Sequence, residues 1–276
     1  MTNNNIKKPW KKNLYENRDL PDNYTDSTFL DELRKNIKPN NVTGFEALTL
    51  GASISIQLSI VILFVMVFIW FNNNWIDPDS IFILSALPTI TGYIYSTYKL
   101  PDMSDRLVKD FRTALIFLCF GYILSPVLKT LTETVSTDTI YAMTIFMFLI
   151  HLIFSKYGSP QVSLSDSLSI TSSIFGSLML ASRLATPIHA FSLLTVAVQC
   201  FVLLPFLLAK IDGKIIISII LILITIYYLI IISQILTYVF IAVTIFVHII
   251  CPFWYVKWQK YKDNIYGPWD EAVIKK

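Results

Sequence analysis

Eight runs of about 20 mostly apolar residues follow one another along this chain, at roughly 50–71, 79–98, 111–128, 138–155, 161–182, 188–209, 214–232 and 235–257. That length is what a helix needs to cross the hydrocarbon core of a bilayer. Backbone N–H and C=O groups in hydrocarbon find no water, so each crossing run must bond internally as a helix. The pattern predicts an all-α fold: a polytopic membrane helical bundle with about eight transmembrane helices. The first, sixth, seventh and eighth runs are clear. Pro88 and Gly92 interrupt the second, and Ser, Thr and Asp crowd the fifth. Two fewer or two more internal crossings, six or ten in all, also fit this pattern.

Basic residues test this arrangement. With the N-terminus in the cytoplasm, 20 of the 22 Lys and Arg fall on the cytoplasmic side, and only Lys129 and Arg183 on the other. Such bias is the positive-inside signature of an even number of crossings with N- and C-termini both cytoplasmic. Residues 1–49 then form a cytoplasmic N-tail, 50–257 the transmembrane helical domain and 258–276 a cytoplasmic C-tail. The polar start, Met1 to Lys8, lacks the apolar centre of a cleavable signal peptide, so insertion is expected to begin at the first internal run. In the N-tail, Asp26 or Ser27 is placed to cap a short helix over 28–38, ended by Pro39. Phe29, Leu30, Leu33 and Ile37 would share its apolar face, against the membrane surface or a partner. In the C-tail, Gly267-Pro268-Trp269 reads as a turn presenting Trp269 as an aromatic anchor.

Few groups carry chemistry. There is no GxGxxG and no P-loop, and the N-tail has too few apolar residues for a core of its own. The three His (His151, His189, His248) and three Cys (Cys119, Cys200, Cys251) show no ligand spacing. No catalytic residue, cofactor, metal or nucleic-acid partner is expected, and the Cys read as buried small hydrophobes. Asp166 is the one carboxylate expected near mid-span, in a run rich in Ser and Thr. It either packs helices by bonding a neighbouring hydroxyl or His, with His151 one candidate, or contacts a partner subunit or lipid headgroup. The polar run from Ser125 to Met143 carries Lys129, Glu133 and Asp138 between two apolar segments. It is either an interfacial loop in which Asp138 caps the next helix or part of a site at the membrane boundary.

That polar run resembles the central motif of the PIG-C family, which belongs to the phosphatidylinositol N-acetylglucosaminyltransferase complex. The tail Asn264-Ile265-Tyr266-Gly267-Pro268-Trp269-Asp270-Glu271-Ala272 is similar to the family's C-terminal motif. Similar N-terminal elements are Pro9-Trp10, Leu14-Tyr15-Glu16, Pro21-Asp22-Asn23-Tyr24 and Phe29-Leu30-Asp31-Glu32-Leu33. Ala181-Ser182-Arg183-Leu184 and Cys251-Pro252-Phe253 match as well. The likeness runs in order along the whole chain, and departures lie mainly in the apolar segments. The stretch Lys99 to Asp110 is shorter than the family pattern suggests.

The resemblance implies a non-catalytic membrane subunit of the complex that transfers GlcNAc from UDP-GlcNAc to phosphatidylinositol. This is the first step of GPI-anchor synthesis, at the cytoplasmic face of the endoplasmic reticulum. It implies PIG-A as the catalytic partner, with PIG-H, PIG-P, PIG-Q and PIG-Y, and phosphatidylinositol in the surrounding membrane. A Lys with Thr and Ser donors suits a phosphoinositol headgroup. The topology places Lys129, Glu133 and Asp138 on the lumenal side, however, so a structural role, locking helices or a neighbouring subunit, is favoured for that run. The rival is a small-solute transporter, which calls for matched broken helices and midplane charges. Pro88, Gly92 and Pro205 are not clearly matched, and Asp166 alone is a thin coupling site.

Overall fold

The computed structural model describes residues 34–35, 42–97, 103–130, 134–157, 164–211, 213–262 and 265–266. Thr43–Tyr255 is one compact unit, and Met1–Val42 with Val256–Lys276 is another. Each of the eight apolar runs holds a helix. The helices are α1 (Gly44–Asn72), α2 (Pro78–Thr97), α3 (Met103–Thr130), α4 (Thr137–Phe154), α5 (Leu164–Ala181), α6 (Pro187–Leu208), α7 (Lys214–Ile232) and α8 (Gln234–Gln259). Five of them, α1, α4, α6, α7 and α8, are long and apolar enough to cross a membrane by length and composition, and α5 holds a shorter apolar helix.

Helix starts follow local chemistry. Thr43 and Glu46 form a capping box: the Glu46 N–H donates to Thr43 Oγ1 (3.3 Å) and the Thr43 N–H to Glu46 Oε2 (2.9 Å). This starts α1 six residues ahead of its apolar run. Ser136 caps α4 and Thr186 caps α6, where Pro187 supplies a preset φ at the first position. The expected cap at Asp138 is corrected by this geometry. Ser136 has the extended backbone a cap requires, and Asp138 lies inside the first turn, where its charge still complements the helix dipole.

The helices of the large unit alternate in direction. At one end, Ser96 on α2 meets Lys210 after α6, Tyr93 on α2 bonds Asp110 on α3, and Gly51 on α1 meets Pro252 on α8. At the other end, Phe71 on α1 meets His189 on α6, Trp70 on α1 meets Tyr228 on α7, and Ser125 on α3 meets Pro187 on α6. The core lies around α1, which buries residues along its whole length, as expected of a helix apolar on all sides. Phe64 (α1), Phe148 (α4) and Phe201 (α6) form a triangle of rings with centroids 5.2–5.9 Å apart. Large apolar side chains of α3, α7 and α8 point outward, among them Phe111, Ile123, Ile216, Leu223, Ile235 and Val239. Faces of that kind suit lipid rather than water.

Two π-turns interrupt the long helices: Gln199–Leu203 in α6 and Phe246–Ile250 in α8. Each is followed two residues later by a proline, Pro205 and Pro252. Proline has no N–H, and its ring crowds the carbonyl four residues back, so the wider turn accommodates it without ending the helix.

In the small unit, Arg34–Lys35 (β1) pairs antiparallel with Ile265–Tyr266 (β2), Arg34 opposite Tyr266 and Lys35 opposite Ile265. The expected 28–38 helix is corrected at Arg34 and Lys35, which are extended because they bond across to the C-terminal segment. The rest of that segment lies outside the described residues.

Candidate functional site

The polar run 125–143 is not a single loop. α3 continues through Ser125 and Pro126 to Thr130, and α4 begins at Thr137. Ser125 is a buried helix residue whose hydroxyl donates to the Pro187 carbonyl at the start of α6. Arg183, in the corner between α5 and α6, donates from Nη2 to the Val135 carbonyl at 2.7 Å. A guanidinium donor makes a stronger bond than a neutral one. Two stretches far apart in sequence, the polar run and the Ser182-Arg183 corner, are thus tied at one end of the bundle. Beside them, Thr186 Oγ1 accepts from the His189 N–H (3.3 Å) and lies 2.6 Å from His189 Nδ1.

The second polar cluster is the seam between α4 and α5. His151 is buried on α4. Its Nδ1 lies 3.0 Å from the Ser169 carbonyl and 2.9 Å from Ser169 Oγ, and that hydroxyl is also 3.2 Å from the His151 carbonyl. A carbonyl only accepts, so the proton belongs on Nδ1. Nε2 is then an acceptor with no partner among the described residues, and the ring stands edge-on to Phe201 at 5.1 Å. The seam closes tightly because α5 presents small residues. A Cβ on Gly176 would stand 3.3 Å from Met147 Cβ and from Phe148 Cε1. The hydroxyls of Ser172, Ser173 and Ser177 turn back onto their own helix backbone, at 2.7–2.9 Å. These serines therefore act as small, self-satisfied packing residues.

The six residues singled out in the sequence are spread across the molecule. Asp138 is exposed in the first turn of α4, and His151 is buried at the seam. Asp166 lies in the first turn of α5, not near mid-span, because that helix begins at Leu164. Lys129 lies in the last turn of α3. The side chains of Asp166 and Lys129, and all of Glu133 and Trp269, lie outside the described residues. Each histidine has a hydroxyl beside Nδ1: Ser169 for His151, Thr186 for His189, and Ser55 for His248 (3.3 Å). Sequence reasoning did not select Ser125 or Arg183 as site residues. The signal was available, since Arg183 is one of only two basic residues that the expected topology separates from the other 20. Among the described residues no three His, Cys, Asp or Glu side chains come together to hold a metal ion.

Residues 10–270 match the family model described as phosphatidylinositol N-acetylglucosaminyltransferase. The chain is 37% identical to the C subunit of phosphatidylinositol N-acetylglucosaminyltransferase from Bos taurus, over 96% of its length and 93% of that protein. The Homo sapiens protein of the same name gives the same values. The GPI2 subunit of Schizosaccharomyces pombe is 30% identical, over 98% of this chain and 88% of that protein. No solved structure matches.

Proposed function

The chain belongs to the PIG-C (GPI2) family of phosphatidylinositol N-acetylglucosaminyltransferase subunits, and from that premise we propose that it is a non-catalytic membrane subunit of the complex that transfers GlcNAc from UDP-GlcNAc to phosphatidylinositol. The observation that carries this reading is 37% identity to named family members sustained over 96% of the chain. In the proposed role the helical bundle holds the catalytic glycosyltransferase subunit at the membrane and helps place the lipid acceptor. Positioning one reactant beside the catalyst supplies a large part of many rate enhancements. PIG-A is the proposed catalytic partner, with PIG-H, PIG-P, PIG-Q and PIG-Y, in the membrane of the endoplasmic reticulum. The test is purification of the tagged full chain in mild detergent. Chains that include a glycosyltransferase should co-purify, and the complex should form GlcNAc-phosphatidylinositol. The chain stripped of its partners should not; robust turnover by it alone would overturn the non-catalytic role.

The proposed topology is eight crossings with both tails in the cytoplasm. Its support is the 20-to-2 distribution of basic residues and the alternating direction of the eight helices. The sequons Asn23-Tyr24-Thr25 and Asn41-Val42-Thr43 then face away from the lumenal glycosylation machinery and should stay unmodified. A mobility shift reversed by glycosidase, and absent from Asn23→Gln or Asn41→Gln, would place the N-tail in the lumen instead. Lys129, Glu133, Asp138, His151, Asp166 and Trp269 are proposed as packing, partner or lipid contacts.

A further inference from the structure

A cavity of about 280 Å³ opens where the start of α1, the segment after α4, the end of α6 and the start of α7 converge. One part of its wall is apolar: Ile56, Pro205 and Leu208. The other part is polar: Ser53, Gln57, Lys156 and Lys214. Gln57 is only 7% exposed, and its Oε1 has no hydrogen-bond partner among the described residues. A buried amide oxygen without a partner is costly unless something in the cavity donates to it. Two lysines line the same space, and no carboxylate is among its described lining residues. The π-turn in α6 helps to build the wall. One extra residue at Gln199–Leu203 turns everything after it by about 100° relative to a regular helix, including Pro205 and Leu208.

We propose that this cavity binds the headgroup of an anionic, hydroxyl-bearing glycerolipid. The phosphate sits between Lys156 and Lys214, a headgroup hydroxyl donates to Gln57 Oε1, and the glycerol end rests on Ile56, Pro205 and Leu208. Three features select this ligand class. The paired lysines with hydroxyl and amide neighbours suit phosphate. The mixed wall suits a molecule that is polar at one end only. The volume lies just under the roughly 300 Å³ at which small-molecule pockets begin, which fits a headgroup and is too small for a whole sugar nucleotide. Lys156 is exposed, Lys214 half-buried and Gln57 buried, so polarity falls from the surface inward. The inference rests on the proposed subunit role, in which a phosphoinositol lipid is the acceptor, and it names the residues that would hold that acceptor.

The test uses the purified complex in nanodiscs of phosphatidylcholine mixed with phosphatidylinositol or phosphatidylserine, with retained lipid read by mass spectrometry after delipidating washes. Wild type should retain phosphatidylinositol over both other lipids. Lys156→Gln with Lys214→Gln should lower that retention about tenfold or more. Gln57→Leu should lower retention of phosphatidylinositol but not of phosphatidylserine. The charge-keeping pair Lys156→Arg and Lys214→Arg should retain the lipid, which guards against misfolding as the cause. An assembled Gln pair that retains phosphatidylinositol like wild type overturns the site. Equal retention of phosphatidylserine and phosphatidylinositol by wild type overturns the hydroxyl recognition. Protection from thermal unfolding by inorganic phosphate in lipid-free micelles, as strong as that by phosphatidylinositol, assigns the cavity to a soluble anion and overturns the lipid. Co-purification of the transferase chains reports the subunit role separately, so either idea can fail while the other stands.

Discussion

Gly51→Ala is expected to destabilise the folded protein by about 1–3 kcal/mol, the cost of overpacking a close contact. A Cβ at Gly51 would stand 3.0 Å from both the Val247 carbonyl oxygen and Pro252 Cγ. Neither is the free end of a flexible side chain. One is backbone inside the π-turn of α8, and the other is a proline ring. Two helices approach this closely only where a small residue lets them. The readout is the unfolding temperature and yield of the purified complex in detergent. Gly44→Ala is the control, because nothing lies within 4 Å of a Cβ there. Gly51→Leu should abolish accumulation of the protein. A Gly51→Ala protein that unfolds at the wild-type temperature would show that α1 and α8 do not meet as described.

Arg183→Leu is expected to cost about 1.5–3 kcal/mol, the usual worth of a hydrogen bond from a charged group. It removes the 2.7 Å bond to the Val135 carbonyl and with it the tie between the α5–α6 corner and the segment before α4. Arg183→Lys should recover only part of the loss, since an ammonium lacks the planar fork of donors. The measurement is limited proteolysis of the connector between α3 and α4 in the intact complex. Cleavage should accelerate strongly in the Leu variant and moderately in Ser125→Ala, which removes the second tie, to Pro187. The two changes share one corner, so the double variant should depart from additivity. Unchanged cleavage in Arg183→Leu would remove the locking role.

Hydropathy made the helices legible because period and length are local properties. The seventh run, 214–232, coincides with α7, and the second and sixth match α2 and α6 to within one residue. Helix ends were less legible. The apolar window sees the part suited to hydrocarbon, whereas α1 and α3 extend into polar sequence, where Thr43 and Glu46 cap one and Tyr93 bonds Asp110 of the other. The family motifs were readable as text, and their partners were not. That Ser125 reaches Pro187, or that Arg183 reaches Val135, depends on which helices sit side by side. The same limit explains Lys156 and Lys214, which counted in the sequence only as markers of membrane side. Their convergence on Gln57 follows from four helix ends meeting. His151 was noticed as one candidate partner for Asp166, whose side chain lies outside the described residues; the hydroxyl of Ser169 beside its ring was not foreseen.

The short ribbon of Arg34–Lys35 with Ile265–Tyr266 carries a constraint out of proportion to its size. Strands that exchange backbone hydrogen bonds cannot have a bilayer between them. Residues 34–35 and 265–266 therefore share one compartment, and if the helices between them span a membrane, the path crosses it an even number of times. The five helices that qualify by length and composition are an odd number. In the proposed topology α2, α3 and α5 join these five, which makes eight and satisfies the parity. Because Arg34 lies opposite Tyr266, a short peptide joining the chain at these two residues would close it into a ring. The polypeptide could then be reopened at a connector that the proposed topology puts on the same side, such as the one between α6 and α7, with its helices in their original order around the circle.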